Sequence, residues 1–266
     1  MNYFSRKPLL MNLKPLWLRE KIFWKFYAQS IKNFPNLFNE ARLEFAPNVY
    51  LDLMETDIGH RMIAFTGFYE LPLSRLISKL AKSGGLLVDV GSNYGYYTCL
   101  WASLRGDNQV IAYEASPRNS QMLLSNLKLN KLESQVQTHE VAVGKEKGKL
   151  QFDVGPSNQS GWGGLSIEKS HNTVEVPVIS LDDCFENQDT IIDALKIDTE
   201  GADTWVIEGS IQLLKQKRIK HIFFEENLSR MSKLKIDSGI AYQILSEHGY
   251  KIKKIANNEW HAWLVN

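Results

Sequence analysis

The spacing of apolar residues changes twice along the chain. Leu13, Leu16, Trp17, Phe23, Trp24, Tyr27, Ile31 and Phe34 recur at helical intervals, which predicts one amphipathic helix of about two dozen residues that Pro35 ends. Two short runs, Val49-Tyr50-Leu51-Asp52-Leu53 and Arg61-Met62-Ile63-Ala64-Phe65, flank Asp57-Ile58-Gly59 and read as a hairpin. A helix over 71–82 follows and stops at Gly84-Gly85. From Leu86-Leu87-Val88-Asp89-Val90 onward β and α signals alternate. Strands are predicted over 109–113, 136–143, 194–197 and 220–224, and helices over 97–103, 117–130, 202–216 and 240–248. This rhythm is that of a parallel sheet covered on both faces. A last pair of strands, 251–255 and 260–265, is joined through Asn257-Asn258.

Between the third and fourth core strands the rhythm breaks. The apolar runs at 149–154, 161–167 and 174–179 predict a small antiparallel β insertion over 144–192, with a turn at Gly155-Pro156-Ser157-Asn158 and an edge position at Pro177. The chain thus divides into a helical extension (1–48) and one α/β domain (49–266) that carries the insertion.

Composition narrows the function classes. At 266 residues with 44% hydrophobic and 23% charged residues, the chain is of ordinary globular type. A net charge of +1 gives no general attraction to nucleic acid. Cys99 and Cys184 form neither a disulfide framework nor a metal-ligand spacing, and no run has the length of a membrane span, so a cytoplasmic setting is expected. The one charge asymmetry lies at the start: Arg6, Lys7, Lys14, Arg19, Lys21, Lys25 and Lys32 face a single acid, Glu20, in the first 32 residues. Basic faces flanked by aromatics attach to anionic membrane surfaces, so residues 13–34 are expected either to touch the inner membrane surface peripherally or to pack on their own domain.

The chemistry gathers at strand ends. The strand ending at Asp89 runs into Gly91-Ser92-Asn93-Tyr94-Gly95 and then a helix, and Glu114 closes the next strand. A glycine loop lets a ligand approach the backbone, and an acid nineteen residues further on can bind ribose hydroxyls. The loop is Gly-x-x-x-Gly rather than Gly-x-Gly-x-x-Gly, so a diphosphate is not expected. The charge of Asp89 and the rings of Tyr94, Tyr96 and Tyr97 suit a cationic ligand, although the tyrosines equally suit packing. In Lys196-Ile197-Asp198-Thr199-Glu200-Gly201, Asp198 or Glu200 is a candidate base for a hydroxyl nucleophile; acids here also cap a helix. Glu226 with Asp198 offers oxygen ligands for a divalent cation, a reading that is not favoured. His171 is a weaker candidate base, and Trp162, set between glycines, is a candidate stacking platform for a sugar or a plug onto the core.

Four segments together resemble the FkbM-type methyltransferase family: Gly67-Phe68-Tyr69-Glu70, Asp89-Val90-Gly91-Ser92-Asn93-Tyr94-Gly95, Tyr113-Glu114-Ala115-Ser116-Pro117 and Lys196-Ile197-Asp198-Thr199-Glu200-Gly201. The resemblance implies a Rossmann-like class I methyltransferase fold with a mostly parallel seven-stranded sheet. It also implies S-adenosyl-L-methionine as methyl donor, with a hydroxyl of a sugar, glycan or natural product as acceptor. By the same resemblance the donor is met by Tyr69, Glu70, Asp89, Gly91, Ser92, Asn93, Gly95, Glu114, Ala115 and Asp198, with Val141 and Ala142 beside the adenine. Ala115-Ser116 stands where the family more often has proline after the acid, and Asp203 where it generally has glutamate, so no acceptor contact is carried to Asp203. Two other readings remain: a catalytically silent membrane adaptor and, less favoured, a nicotinamide-dependent oxidoreductase.

Overall fold

A computed structural model describes residues 9–29, 34, 37–38, 41–167 and 172–265. The N-terminal helix is shorter than its apolar spacing predicts. Helix α1 (Leu16–Ile22) starts after Pro15 and runs into a π turn, Phe23–Tyr27. Residues 30–33, within the predicted helix, lie outside the described residues. Arg19 is buried: Nε donates to the Leu13 carbonyl at 2.7 Å, and Nη1 donates to Glu44 Oε2 at 2.7 Å and to the Thr66 carbonyl at 3.1 Å. One of the seven basic residues therefore serves the fold. Phe23 and Tyr27 meet Phe65 with ring centroids 5.7 and 5.3 Å apart, so this segment shares a hydrophobic core with the domain behind it.

The predicted hairpin is absent. Its second run belongs to helix α2 (Ile58–Thr66), and Asp57 is the N-cap, accepting from the amides of Gly59 and His60. A five-residue apolar run cannot separate the two periodicities, and the carboxylate cap decides for helix. The first run bridges antiparallel to Arg42 at Tyr50, and side chains hold its other edge. Asn130 Oδ1 and Asn126 Oδ1 accept from the amides of Tyr50 and Asp52, and Asn130 Nδ2 donates to the Tyr50 carbonyl.

The remaining elements follow the predicted alternation: α3 (Leu71–Ala81), β1 (Leu86–Val90), α4 (Tyr96–Ser103), β2 (Gln109–Tyr113), α5 (Pro117–Asn130) and β3 (Val136–His139). Next come β4 (Ala142–Val143), β5 (Gly148–Asp153), β6 (Gly164–Ser166), β7 (Thr173–Ile179) and α6 (Leu181–Cys184). The chain ends with β8 (Ile192–Ile197), α7 (Asp203–Glu208), α8 (Ile211–Lys215), β9 (Ile219–Glu225), α9 (Leu228–Leu234), α10 (Ile240–Glu247), β10 (Tyr250–Lys254) and β11 (Glu259–Leu264). The main sheet has seven strands in the order β10-β11-β9-β8-β1-β2-β3, parallel from β9 through β3, with β11 antiparallel to β9 and to β10. Helices α3, α4 and α5 cover one face with the N-terminal segment, while α6, α7, α8 and α10 cover the other. Among the described residues no helix is long and apolar enough to cross a membrane.

Three further expectations change. The strand predicted over 136–143 splits, because Ala142 and Val143 leave the main sheet and pair with Val178 and Ile179 of β7. The helix predicted over 202–216 breaks at Gly209-Ser210; a Cβ on Gly209 would lie 2.1 Å from the Gly144 carbonyl oxygen, so the two segments touch through bare backbone. The insertion is a four-stranded sheet, β4-β7-β5-β6, in which Pro177 lies on an interior strand rather than an edge. Strand β4 pairs only from Val178 onward, so no ladder partner faces Pro177 on that side. Helices α6 and α9, too short for a periodic signal, were not predicted.

Replacing Arg19 by Ala would leave Glu44 and the Thr66 carbonyl without their donor. Urea unfolding should show a loss of about 3 kcal/mol, the scale for breaking a buried ion pair; an unchanged midpoint would mean that α1 is not anchored to the domain by this residue.

Candidate functional site

The parallel register brings the chemistry together. Asp89 of β1 is the register partner of Ala112 on β2 and of Lys196 on β8, so the segments beginning at Gly91, Glu114 and Asp198 leave the sheet at one level. The Asp198 amide donates to the Val90 carbonyl at 3.0 Å and closes the seam. Gly91 is required there. Its φ is +75°, and a Cβ would stand 1.9 Å from the Asp198 carbonyl oxygen. Gly95, also left-handed, leaves room for Leu123 of α5, which a Cβ would approach to 2.5 Å.

Above this edge lies a cavity of about 400 Å³, within the range of small-molecule sites. Of the predicted donor-binding residues, Tyr69, Glu70, Gly91, Ser92, Asn93, Glu114, Ala115, Val141, Ala142 and Asp198 line it, as does Glu200. Asp89 and Gly95 do not. Asp89 is fully buried beneath the floor, where Thr98 Oγ1 donates to its Oδ2 at 2.6 Å and Lys196 Nζ lies 3.8 Å from Oδ1. Burial raises its pKa, and Lys196 opposes the rise.

Glu114 is nearly buried, and each of its oxygens accepts one backbone amide: Oε2 from Asn93 at 2.7 Å and Oε1 from Ser116 at 2.8 Å. A carboxylate has about four acceptor sites, so capacity remains toward the cavity. Burial pushes its pKa up to about 7 against the pull of those amides. The side-chain oxygen Oδ1 of Asn93 is buried without a hydrogen-bond partner, and Asn93 itself is left-handed, with φ +51°. An unmet buried acceptor on a cavity wall marks a place where a ligand donor fits.

The other end of the cavity is acidic. Lys196 Nζ donates to Asp198 Oδ2 at 3.1 Å and to the Gly91 carbonyl at 3.4 Å, and stands 5.2 Å from the centre of the Tyr97 ring. Burial works against its charge, but Asp198, Asp89 and Glu70 outweigh burial and hold it protonated. Glu200 sits at φ +54°, a strained conformation for a residue other than glycine. Burial and the Asp198 charge raise its pKa to about 8, opposed by Arg230, whose Nε is 3.9 Å away. Glu225 also lines the cavity, with its pKa raised to about 7 mainly by burial. Tyr97 donates to Glu70 Oε2 at 2.8 Å, and burial drives the pKa of Glu70 well upward.

The predicted cation pair does not assemble. Glu226 is outside the cavity and accepts from the Gly239 amide at 2.8 Å; its neighbour Glu225 is the residue that faces Asp198. Asp203 accepts from the amides of Thr199 and Glu225 and from Thr199 Oγ1, so it ties the β8 and β9 ends together and does not line the cavity. His171 lies outside the described residues. Trp162 lines the cavity and is 57% exposed, so it is a rim and not a plug; its carbonyl accepts from Arg230 Nη2 at 2.8 Å.

Several lining residues carried no predicted role. Lys196, a lysine inside the apolar strand Leu195-Lys196-Ile197, is itself a signal, because a buried ammonium must be paired. Asp57 joins α2 to the insertion, accepting from the Ser160 amide and hydroxyl at 2.6 and 3.0 Å. Asn119 does so from α5 by donating to the Ser160 carbonyl at 2.9 Å. No local sequence signal announces contacts of such separation.

No curated protein matches the chain. Among solved structures it is similar to the methyltransferase FkbM from Methylobacillus flagellatus, with 12% identity over 92% of this chain and 60% of that one and a TM-score of 0.47. It is also similar to the METTL16 methyltransferase domain (14%, 90% and 80%, TM-score 0.48). A third is precorrin-6y C5,15-methyltransferase from Geobacter metallireducens (14%, 73% and 88%, TM-score 0.42). The chain spans 60% of the length of the first of these. Residues 89–252, more than half of the chain, match the model of the methyltransferase FkbM domain. The nicotinamide reading gives way to this match: the chain belongs to the FkbM methyltransferase family.

Proposed function

We propose that the protein transfers the methyl group of S-adenosyl-L-methionine to a hydroxyl of a sugar, glycan or natural product. The observation that carries this reading is one cavity in which the Glu114 carboxylate and the unpartnered Asn93 Oδ1 meet the carboxyls of Asp198 and Glu200. The donor, when bound, supplies a methyl group on a positively charged sulfur that leaves as a neutral thioether.

The residues present fit that group. Glu114 accepts from the ribose hydroxyls with the capacity its two amide bonds leave free. Asn93 Oδ1 accepts from the ammonium of the methionine part, beside Gly91 and Ser92. Ala115, Val141 and Ala142 form the apolar wall for adenine. Tyr69 and Glu70 close the side toward α3, and the surplus of carboxyls over lysine favours a ligand of positive charge. Asp89 and Gly95 act at one remove, the first through Thr98 and Lys196 and the second by admitting Leu123.

At the acceptor end the two candidate bases differ. Lys196 keeps Asp198 engaged, which suits a carboxylate that orients the acceptor hydroxyl. Glu200, shifted to about 8, is a strong base for a carboxylate once ionised and would take the proton of the acceptor hydroxyl. Holding the acceptor hydroxyl close to the donor would supply much of the acceleration.

Isothermal titration with S-adenosylmethionine, S-adenosylhomocysteine and NAD should show binding of the two adenosyl ligands alone. Glu114→Ala should weaken that binding by roughly 2 kcal/mol, the scale for hydrogen bonds to a charged group; equal affinity for the variant would remove Glu114 from the site. With an acceptor in hand, kcat should climb with pH to a plateau above about 8. Glu200→Gln should lose that limb together with about a hundredfold or more of the turnover, and a profile unchanged in the variant would assign the proton to another group.

The cavity carboxyls, with Glu259 of β11 beside them, make the free protein sensitive to pH. Glu114, Glu225 and Glu259 are raised from 4.5 to about 7 and Glu200 to about 8, in each case chiefly by burial. The folded chain therefore holds protons that the unfolded chain releases, so stability is fullest below about 4.5 and falls as pH rises to about 8. Above about pH 6.5, where the histidines lowered by burial no longer oppose it, the melting temperature of the free protein should drop up to about pH 8, and S-adenosylmethionine should shrink that drop. A melting temperature that rises over this window would contradict the assignment.

A further inference from the structure

The N-terminal helix uses one face to pack and leaves the other to solvent. Phe23 and Arg19 are buried against α2 and Glu44, whereas Leu13, Trp17 and Trp24 are 37%, 49% and 53% exposed. Trp17, Lys21 and Trp24 follow one another at four and three residues, which sets them on a single stripe of the helix. Lys21 Nζ lies 4.9 Å above the Trp17 ring, and Lys14 and Lys25 are exposed beside it. Glu20, three residues after Trp17 and four before Trp24, borders this stripe. It is part-buried, and its charge is felt by Glu259 near the acidic end of the cavity. The outer stripe thus carries indoles and exposed lysines, with one part-buried acid at its edge. It is also continuous with the site, because Trp24 lines the cavity, as does Trp162.

We propose that this stripe docks on an anionic phospholipid bilayer and that the mouth of the cavity thereby opens at the lipid surface. Indoles settle at the boundary between headgroups and acyl chains, and lysines between them meet the lipid phosphates. A second copy of the chain fits the stripe poorly, since a two-fold contact would set these lysines against their own counterparts. For the reaction, the consequence is an acceptor carried by a lipid, which reaches the cavity without leaving the membrane. That consequence rests on the methyl-transfer reading; the docking itself does not.

The test is sedimentation of the full chain with vesicles of phosphatidylcholine, with and without phosphatidylglycerol, needing neither donor nor acceptor. The chain should pellet with the anionic vesicles, and raised salt should release it. A lysine near an anionic surface contributes about fivefold, so Lys21→Ala with Lys25→Ala should reduce partitioning by about twenty-fivefold. Trp17→Ala should reduce it too, with the circular dichroism and melting temperature of the exposed-site variants unchanged. Absence of binding to anionic vesicles would overturn the proposal, as would binding that both variants retain in full. A concentration-dependent dimer in light scattering that Trp17→Ala dissolves would also overturn it, assigning the stripe to a second copy.

Discussion

The site is organised around one buried ammonium. Lys196 enters from the middle of the sheet, where an unpaired charge would be costly, and it is stabilised by Asp89 on one side, Asp198 on the other and the Gly91 carbonyl between them. Each partner belongs to a different part of the structure: the last buried turn of β1, the acid that follows β8 and the first residue of the glycine loop. Satisfying this charge draws the ends of β1 and β8 to one level. It also explains why Gly91 must lack a side chain, since the Asp198 backbone occupies that space. The loop conformation that brings the Asn93 amide to Glu114 starts from that junction.

From this centre the electrostatics divide along the cavity. Toward the glycine loop, carboxylate and amide oxygens are left with spare acceptor capacity. Toward β9, carboxyls crowd together with one lysine and one arginine among them, and several retain protons near neutrality. A donor of positive charge relieves the first region, and a hydroxyl whose proton must be removed suits the second. The β insertion supplies the far wall, pinned by Asp57, Asn119 and Arg230, so rim residues such as Trp162 are set by contacts distant in sequence.

Much of this was legible in the residues. The core strands, α5 and the closing antiparallel pair have strong periodic signals, and the motif acids end their strands where the pattern places them. The misreadings have physical causes. The run Arg61 to Phe65 is too short to show its period, and only the Asp57 cap reveals a helix. Tyr50 to Leu53 looks like a strand because its leucines alternate, yet it pairs through a single bridge at Arg42 on one side, and asparagine side chains stand in for a strand on the other. The inward role of Asp89 was hidden because a motif gives residue identity and not direction; that Asp89 is the register partner of Lys196 becomes visible only once the strands are paired. Glu225 and Glu226 differ by one residue, and strand alternation sends only the first into the cavity.

A crystal structure of the protein with S-adenosylhomocysteine tests the central claim most directly. The account predicts the ribose hydroxyls on Glu114, the amino group against Asn93 Oδ1 and the adenine between Ala115 and Val141-Ala142, with Asp198 and Glu200 facing the sulfur across open space. A ligand seated elsewhere, or one that leaves Asn93 Oδ1 and Glu114 untouched, would contradict it.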